Sequence, residues 1–380
     1  MSARVVAAAT PAAIVESMTV RRAAFWGLLA AKTLGGWGVQ WDIRWHLLIG
    51  RDSFWIPPHI MTYASVTLSG LIAFAVLALE TRRARRGEPI AGGRRVAGLV
   101  GTPGFHLAWW GVVVTVLAAP IDDLWHRLFG IDVTLWSPPH LLGMVGAQLN
   151  TLGCMRIALE TWPGRHAWQR GAVLLAGTML LGAFAIWVDP GVQTAYRHGG
   201  AFFFTWAMLG ALAFVFVHVL TTRLTGLRSA PLLLALAAFA LNALGLAVSD
   251  VGFAITQPTS ALEAAIAADP DSPIAVAYEM ARRNGTVPGR SMALRWLPLA
   301  PAVLMALVDA RRRWAAAALA FGLGLILVSG VHFARLPALS HAVPGVADVL
   351  LAVLVTALAA LAGSAAAVRV ADRLTPARLA

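Results

Sequence analysis

Residues 42–59 read DIRWHLLIGRDSFWIPPH, and residues 122–140 read DDLWHRLFGIDVTLWSPPH. Both stretches hold an Asp, a His four residues on, a Gly, a further Asp and a closing Trp-x-Pro-Pro-His; the second carries one extra residue before its Trp. On a helix, residues four apart share a face, one turn above the other. Asp42 with His46, and Asp122 with His126, are therefore expected at the same face of a helix end. Proline suits the first turn of a helix, so Pro57-Pro58 and Pro138-Pro139 should open the next helices and fix where His59 and His140 point. Each copy then reads as a helical hairpin that directs one carboxylate and two imidazoles to a common point, a plausible three-ligand metal set.

These hairpins lie in an apolar chain. Of its 380 residues, 59% are hydrophobic and 13% are charged, with a mean hydropathy of +0.72. That composition excludes an ordinary soluble domain and predicts an all-α polytopic transmembrane bundle. Apolar runs of crossing length fall near 23–48, 58–80, 103–121, 138–160, 170–188, 200–221, 230–252, 294–309, 314–333 and 345–367, about ten spans. The lone Cys154 rules out a disulfide framework and a thiolate cluster.

A net charge of +12 is no signature of nucleic-acid binding here, because the arginines gather between the apolar runs. Arg21 and Arg22 precede the first run, Arg82 to Arg95 fill the link after the second, and Arg165, Arg170, Arg223, Arg228, Arg311, Arg312, Arg313, Arg369 and Arg373 follow in every second link. Positive links stay in the cytoplasm, so both termini are expected there and both hairpin turns at the outer face of a bacterial-type inner membrane. Residues 1–22 read as a cytoplasmic segment, 23–165 as the duplicated hairpin region, and 166–380 as additional spans with an external loop near 256–292.

Ionisable groups within spanning segments are costly and tend to be functional, but a single His near an interface is more often structural. Repetition of the same three residue types at near-identical spacing shifts the balance towards metal binding. Asp52 and Asp132, each two residues after a Gly, read as turn or cap residues. Trp45 and Trp125 read as interfacial anchors. Asp189, Arg197, His198, Asp250, His332 and His341 each occur once and read as structural partners or pathway residues, while His106, His166 and His218 suggest nothing specific.

The intervals of four and thirteen at Asp42, His46 and His59, and of four and fourteen at Asp122, His126 and His140, resemble those of the particulate methane and ammonia monooxygenase family of copper membrane monooxygenases. The likeness is to the wholly membrane-embedded, copper-bearing member of those assemblies. It carries an Asp-x3-His-x12-His copper site followed by an Asn-x3-His-x13-His copper site. The resemblance, confined to about residues 20–165, implies copper at Asp42, His46 and His59 and at His126 and His140, with Asp122 where the family has Asn. The additional spans that follow set this chain apart from a standard member. The expected activity is that of a copper-dependent membrane monooxygenase, or its copper-bearing subunit, acting on a small apolar substrate delivered by the lipid bilayer, with other monooxygenase-type subunits as partners.

Two further readings rest on the residues alone. His, His and Asp also suit zinc, whose bound water becomes a nucleophile near neutral pH; a membrane lipid hydrolase of that kind would need a general base such as Asp52 or Asp132. A non-catalytic metal-handling membrane protein is the other. Haem fits less well, because an Asp four residues before the His has no role in its ligation.

Overall fold

The chain is almost wholly helical in its computed structural model, which describes residues 11–50, 53–129, 136–162, 164–290 and 292–375. The elements are α1 (Pro11–Ile49), α2 (Pro57–Arg85), a short antiparallel hairpin of β1 (Arg94–Val96) and β2 (Leu99–Gly101), α3 (Pro103–Phe129), α4 (Pro138–Thr161), α5 (Ala167–Val188), α6 (Gly191–His198), α7 (Thr205–Thr225), α8 (Ala230–Thr256), α9 (Leu262–Ala268), α10 (Pro273–Arg283), α11 (Ala293–Trp296), α12 (Leu299–Val308), α13 (Trp314–Phe333) and α14 (Val346–Leu374).

Seven stretches of helix among the described residues are long and apolar enough to cross a membrane: Pro57–Arg85, Pro103–Phe129, Ala167–His198, Gly200–Thr225, Ala230–Thr256, Trp314–Phe333 and Val346–Leu374. The chain is therefore a multi-pass membrane protein. α1 and α4 are long enough, but Lys32, Gln40 and Asp42 in one and Gln148, Asn150 and Arg156 in the other make them less apolar. The run expected as a span at 294–309 is not one continuous helix. Pro298 lacks an N–H and its ring obstructs the preceding turn, so the segment divides into α11 and the ten-residue α12.

Local chemistry sets the helix boundaries. Proline occupies the first turn of α2, α4, α8 and α10. Ser272 caps α10 by accepting from Ala275 N at 3.2 Å. Gly226 ends α7 in the left-handed region at φ +67, which a side chain would resist.

Small residues let the helices approach closely. α3 and α4 pack backbone to backbone at Gly111, Gly146 and Gly153, where a Cβ would collide with Asn150, Thr115 and Ala108 respectively. The central core joins α5, α7, α13 and α14 around Trp206, Phe203, Phe321 and Phe333, all nearly inaccessible. Large apolar side chains on α8 and α14 face outward instead, among them Ile255, Val251, Leu350 and Leu358, as a lipid-facing surface requires.

The arginine-rich links gather at one end of the bundle. Arg21 pairs with buried Glu80 at 2.6 Å and donates to Ala91 O, joining the start of α1 to the end of α2. Arg165, Arg223 and Arg311 meet beside the end of α14. Asp42 lies 21 residues along α1 from Arg21, about 32 Å at the rise of an α-helix, which is one bilayer core away.

Candidate metal centre

α1 continues as helix through Asp42 and His46, so the two side chains stand one turn apart on one face. The chain then turns at Gly50, whose φ of +72 is left-handed. A Cβ on Gly50 would come within 2.6 Å of the Leu262 backbone, so glycine also lets the segment after α8 settle on the turn. Ile56 precedes α2 in extended conformation, φ −66 and ψ 148, and Pro57 and Pro58 begin the helix. His59 therefore projects from the first turn of α2, back towards the end of α1.

The three side chains converge. Asp42 Oδ1 lies 3.1 Å from His59 Nε2 and 3.6 Å from His46 Nε2. One ligand atom from each residue falls within 4.8 Å of the others. Donor atoms around a tetrahedral ion with bonds near 2.1 Å stand about 3.4 Å apart, so small rotations of the rings complete the set. Asp42 Oδ1 is buried and makes no well-aligned hydrogen bond with the described residues. Such an oxygen is costly to bury unless a cation or a donor satisfies it. The triad is a fifth to a quarter exposed, which leaves access from one side.

Neighbouring groups hold the set in place. Arg44, only 3% exposed, points away from the triad to α8, where it donates to Leu246 O, Ser249 Oγ and, at 2.7 Å, Asp250 Oδ1. Arg290 reaches the other Asp250 oxygen at 3.1 Å. Ala261 N donates to Ile49 O at 2.7 Å and Ser260 Oγ to Leu48 O, so the segment after α8 is tied to the end of α1. Trp41 and Trp45 are buried against Phe253 of α8, at 6% and 5% exposure. This corrects the expectation that Trp45 anchors at the interface: its ring stacks on Phe253 and packs α1 on α8. The ring of Tyr63, one turn beyond His59, lies 5.8 Å from the imidazole.

The second copy repeats the geometry as far as it is described. α3 runs on past Pro120 to Phe129 and carries Asp122 and the backbone of His126 one turn apart. Ser137 precedes α4 with φ −66 and ψ 149, within a degree of Ile56. Asp122 Oδ1 lies 3.6 Å from His140 Nε2. The His126 side chain lies outside the described residues, as do Asp52, Gly130 and Asp132. Leu124 stands where the first copy has Arg44 and is 54% exposed, so that position makes no equivalent tie.

Four of the six singly occurring polar residues, Asp189, Arg197, Asp250 and His341, have polar partners. Asp189 holds Arg295 through both oxygens and the Trp206 indole at 3.4 Å, Arg197 donates to Asp271 O, and His341 meets Tyr196 O at 2.8 Å. Arg44 is the residue whose role was not foreseen. Its signal was an arginine among apolar neighbours near the end of a helix, with Asp250 its unassigned counterpart.

No protein-family model, no curated protein and no solved structure matches the chain.

Proposed function

We propose that the protein is a membrane metalloprotein that binds a transition metal at Asp42, His46 and His59, and a second at Asp122, His126 and His140. The convergence of the Asp42, His46 and His59 donor atoms within 4.8 Å carries this reading. Two neutral imidazoles and one carboxylate suit copper, and the spacing likeness to the copper sites of membrane monooxygenases favours it over zinc. The proposed activity is copper-dependent oxygenation of a small apolar substrate, by this chain or by an assembly in which it is the copper-bearing subunit.

The residues divide the work. His46 and His59 would supply neutral nitrogen donors, and Asp42 would supply the anionic oxygen that offsets part of the ion's charge. Copper held there would bring one-electron redox chemistry and coordination positions open to dioxygen. Arg44, clamped to Asp250, keeps α1 in place, so the donors are presented on a rigid helix end. Trp41, Trp45 and Phe253 exclude water from behind the helix, while the exposed side of the triad admits a substrate that partitions from lipid.

The arginine distribution supports an orientation for the molecule. The proposed topology has ten crossings: the seven apolar stretches, α1, α4, and the broken segment from Ala293 to Val308. Both termini then lie in the cytoplasm of a bacterial-type cell, and both metal sites at the outer face of the inner membrane.

Metal analysis and an EPR spectrum of the purified protein test the proposal. Copper in stoichiometric amount with a type 2 signal is expected. Stoichiometric zinc with a silent spectrum would overturn the copper assignment and favour a hydrolase, and protein that takes up neither metal would overturn both.

A further inference from the structure

The opposite end of the bundle holds a second candidate site. A cavity of about 360 Å³ opens among the α4–α5 link, the end of α7, the α12–α13 link and the end of α14. Arg165, Arg223, Arg311 and Arg312 line it, together with Thr222 and Asp372. The guanidinium groups come from three separate parts of the chain. Arg311 Nη1 donates to Gly226 O at 3.4 Å, and a Cβ on Gly226 would stand 2.8 Å from Arg165 Nη1, so both arginines close on that glycine.

Charge here is unbalanced. Arg223 reaches Asp372 at 3.4 Å, and Arg311 grips Asp309 through two contacts of 2.7 Å. Arg165 and Arg312 have no ion pair among the described residues. Four arginines against two carboxylates leave two positive charges, and the ends of α7 and α14 offset about half a charge each. About one positive charge remains. Thr222 is fully buried, and its hydroxyl finds no hydrogen-bond partner among the described residues. Retention of positive links in the cytoplasm explains arginine in each link. It does not explain why three links bring their arginines to one cavity, where like charges repel unless an anion lies between them.

We propose that this cavity binds a phosphate group, carried either by an anionic phospholipid headgroup or by free phosphate. The guanidinium fork matches two oxygens of one phosphate, and basic pockets between membrane helices are suited to anionic headgroups. A volume of about 360 Å³ has room for a phosphate group and for the headgroup that can carry it.

Native mass spectrometry of the full-length protein in detergent tests this, with phosphatidylglycerol, phosphatidylcholine and inorganic phosphate as probes. The double variant R165Q/R312Q is compared with R82Q/R85Q, which removes two arginines from the last turn of α2. Wild-type protein should retain phosphatidylglycerol over phosphatidylcholine. R165Q/R312Q should weaken that retention by about tenfold or more, as the loss of charge-assisted hydrogen bonds implies, while R82Q/R85Q leaves it unchanged. Displacement of the lipid by millimolar phosphate would identify free phosphate as the ligand; resistance to it would identify the lipid. Equal retention of both lipids without phosphate binding would overturn the proposal, and so would an equal loss in the two double variants. If R165Q/R312Q does not fold, R165K/R312K keeps the charge but loses the forks; unchanged phosphatidylglycerol retention in that variant would also overturn it.

Discussion

At the scale of single residues, Asp42 separates a metal role from a structural one. Its Oδ1 is buried beside two imidazoles without a well-aligned hydrogen bond. Asp42→Asn removes the charge and keeps the shape. The metal-free protein should therefore lose no more than about 1 kcal/mol of stability, since an uncompensated buried anion has been relieved. Copper affinity should fall by about a hundredfold or more, because loss of a ligand exceeds the loss seen when only its supporting partner is removed. Thermal unfolding without metal and a copper titration check the two halves. Arg44 behaves differently. Arg44→Leu, which copies the second hairpin, should cost about 1–2 kcal/mol in metal-free protein, with Asp250 still held by Arg290, and weaken copper less than Asp42→Asn does. The triad itself was legible in the sequence because a spacing of four and a Pro-fixed helix start are local facts. Arg44 with Asp250 was not, since the two lie 206 residues apart and only the docking of α8 on α1 unites them.

At the scale of elements, each hairpin depends on how closely its helices approach. α3 and α4 meet at Gly146, where a Cβ would press on the Thr115 backbone at 2.5 Å. Gly146→Val should force those helices apart, at about 1–3 kcal/mol, and move Asp122 from His140. Copper should fall from two ions per chain to one, with the Asp42 site retained. The segment between α8 and α11 supplies a pH test. Hydrogen bonds from Arg282 and Arg283 hold the Glu279 carboxyl down to about 2, below its ordinary 4.5. A depressed carboxyl stabilises fully above its unfolded value of 4.5, and that contribution is lost progressively as pH falls from about 5 through 2. The effect is small for so exposed a cluster, and amide protection of α10 should stay level between about pH 7 and pH 5.5 once corrected for intrinsic exchange. Apolar runs of crossing length placed most of these helices well, α13 to the residue. At 294–309 summed hydropathy hides the break at Pro298, which divides that run into α11 and α12.

At the scale of the whole molecule, the proposed topology puts the arginine-rich end in the cytoplasm and the histidine triads outside. Cysteine labelling checks it directly, because the native Cys154 is buried. Trp55→Cys, at a position 71% exposed beside the first triad, should react with an impermeant maleimide on intact spheroplasts. Arg312→Cys should react only after permeabilisation. The reverse pattern would invert the topology. Above all, the proposed molecule holds two metal sites, each complete within its own hairpin. A copper titration of chelator-treated protein, read by metal content and EPR, tests this in wild type, His59→Ala, His140→Ala and the double variant. Two coppers per wild-type chain with nitrogen-coordinated type 2 signals are expected, one in each single variant and none in the double. Unchanged copper in all variants, or complete loss from either single substitution, would contradict the assignment.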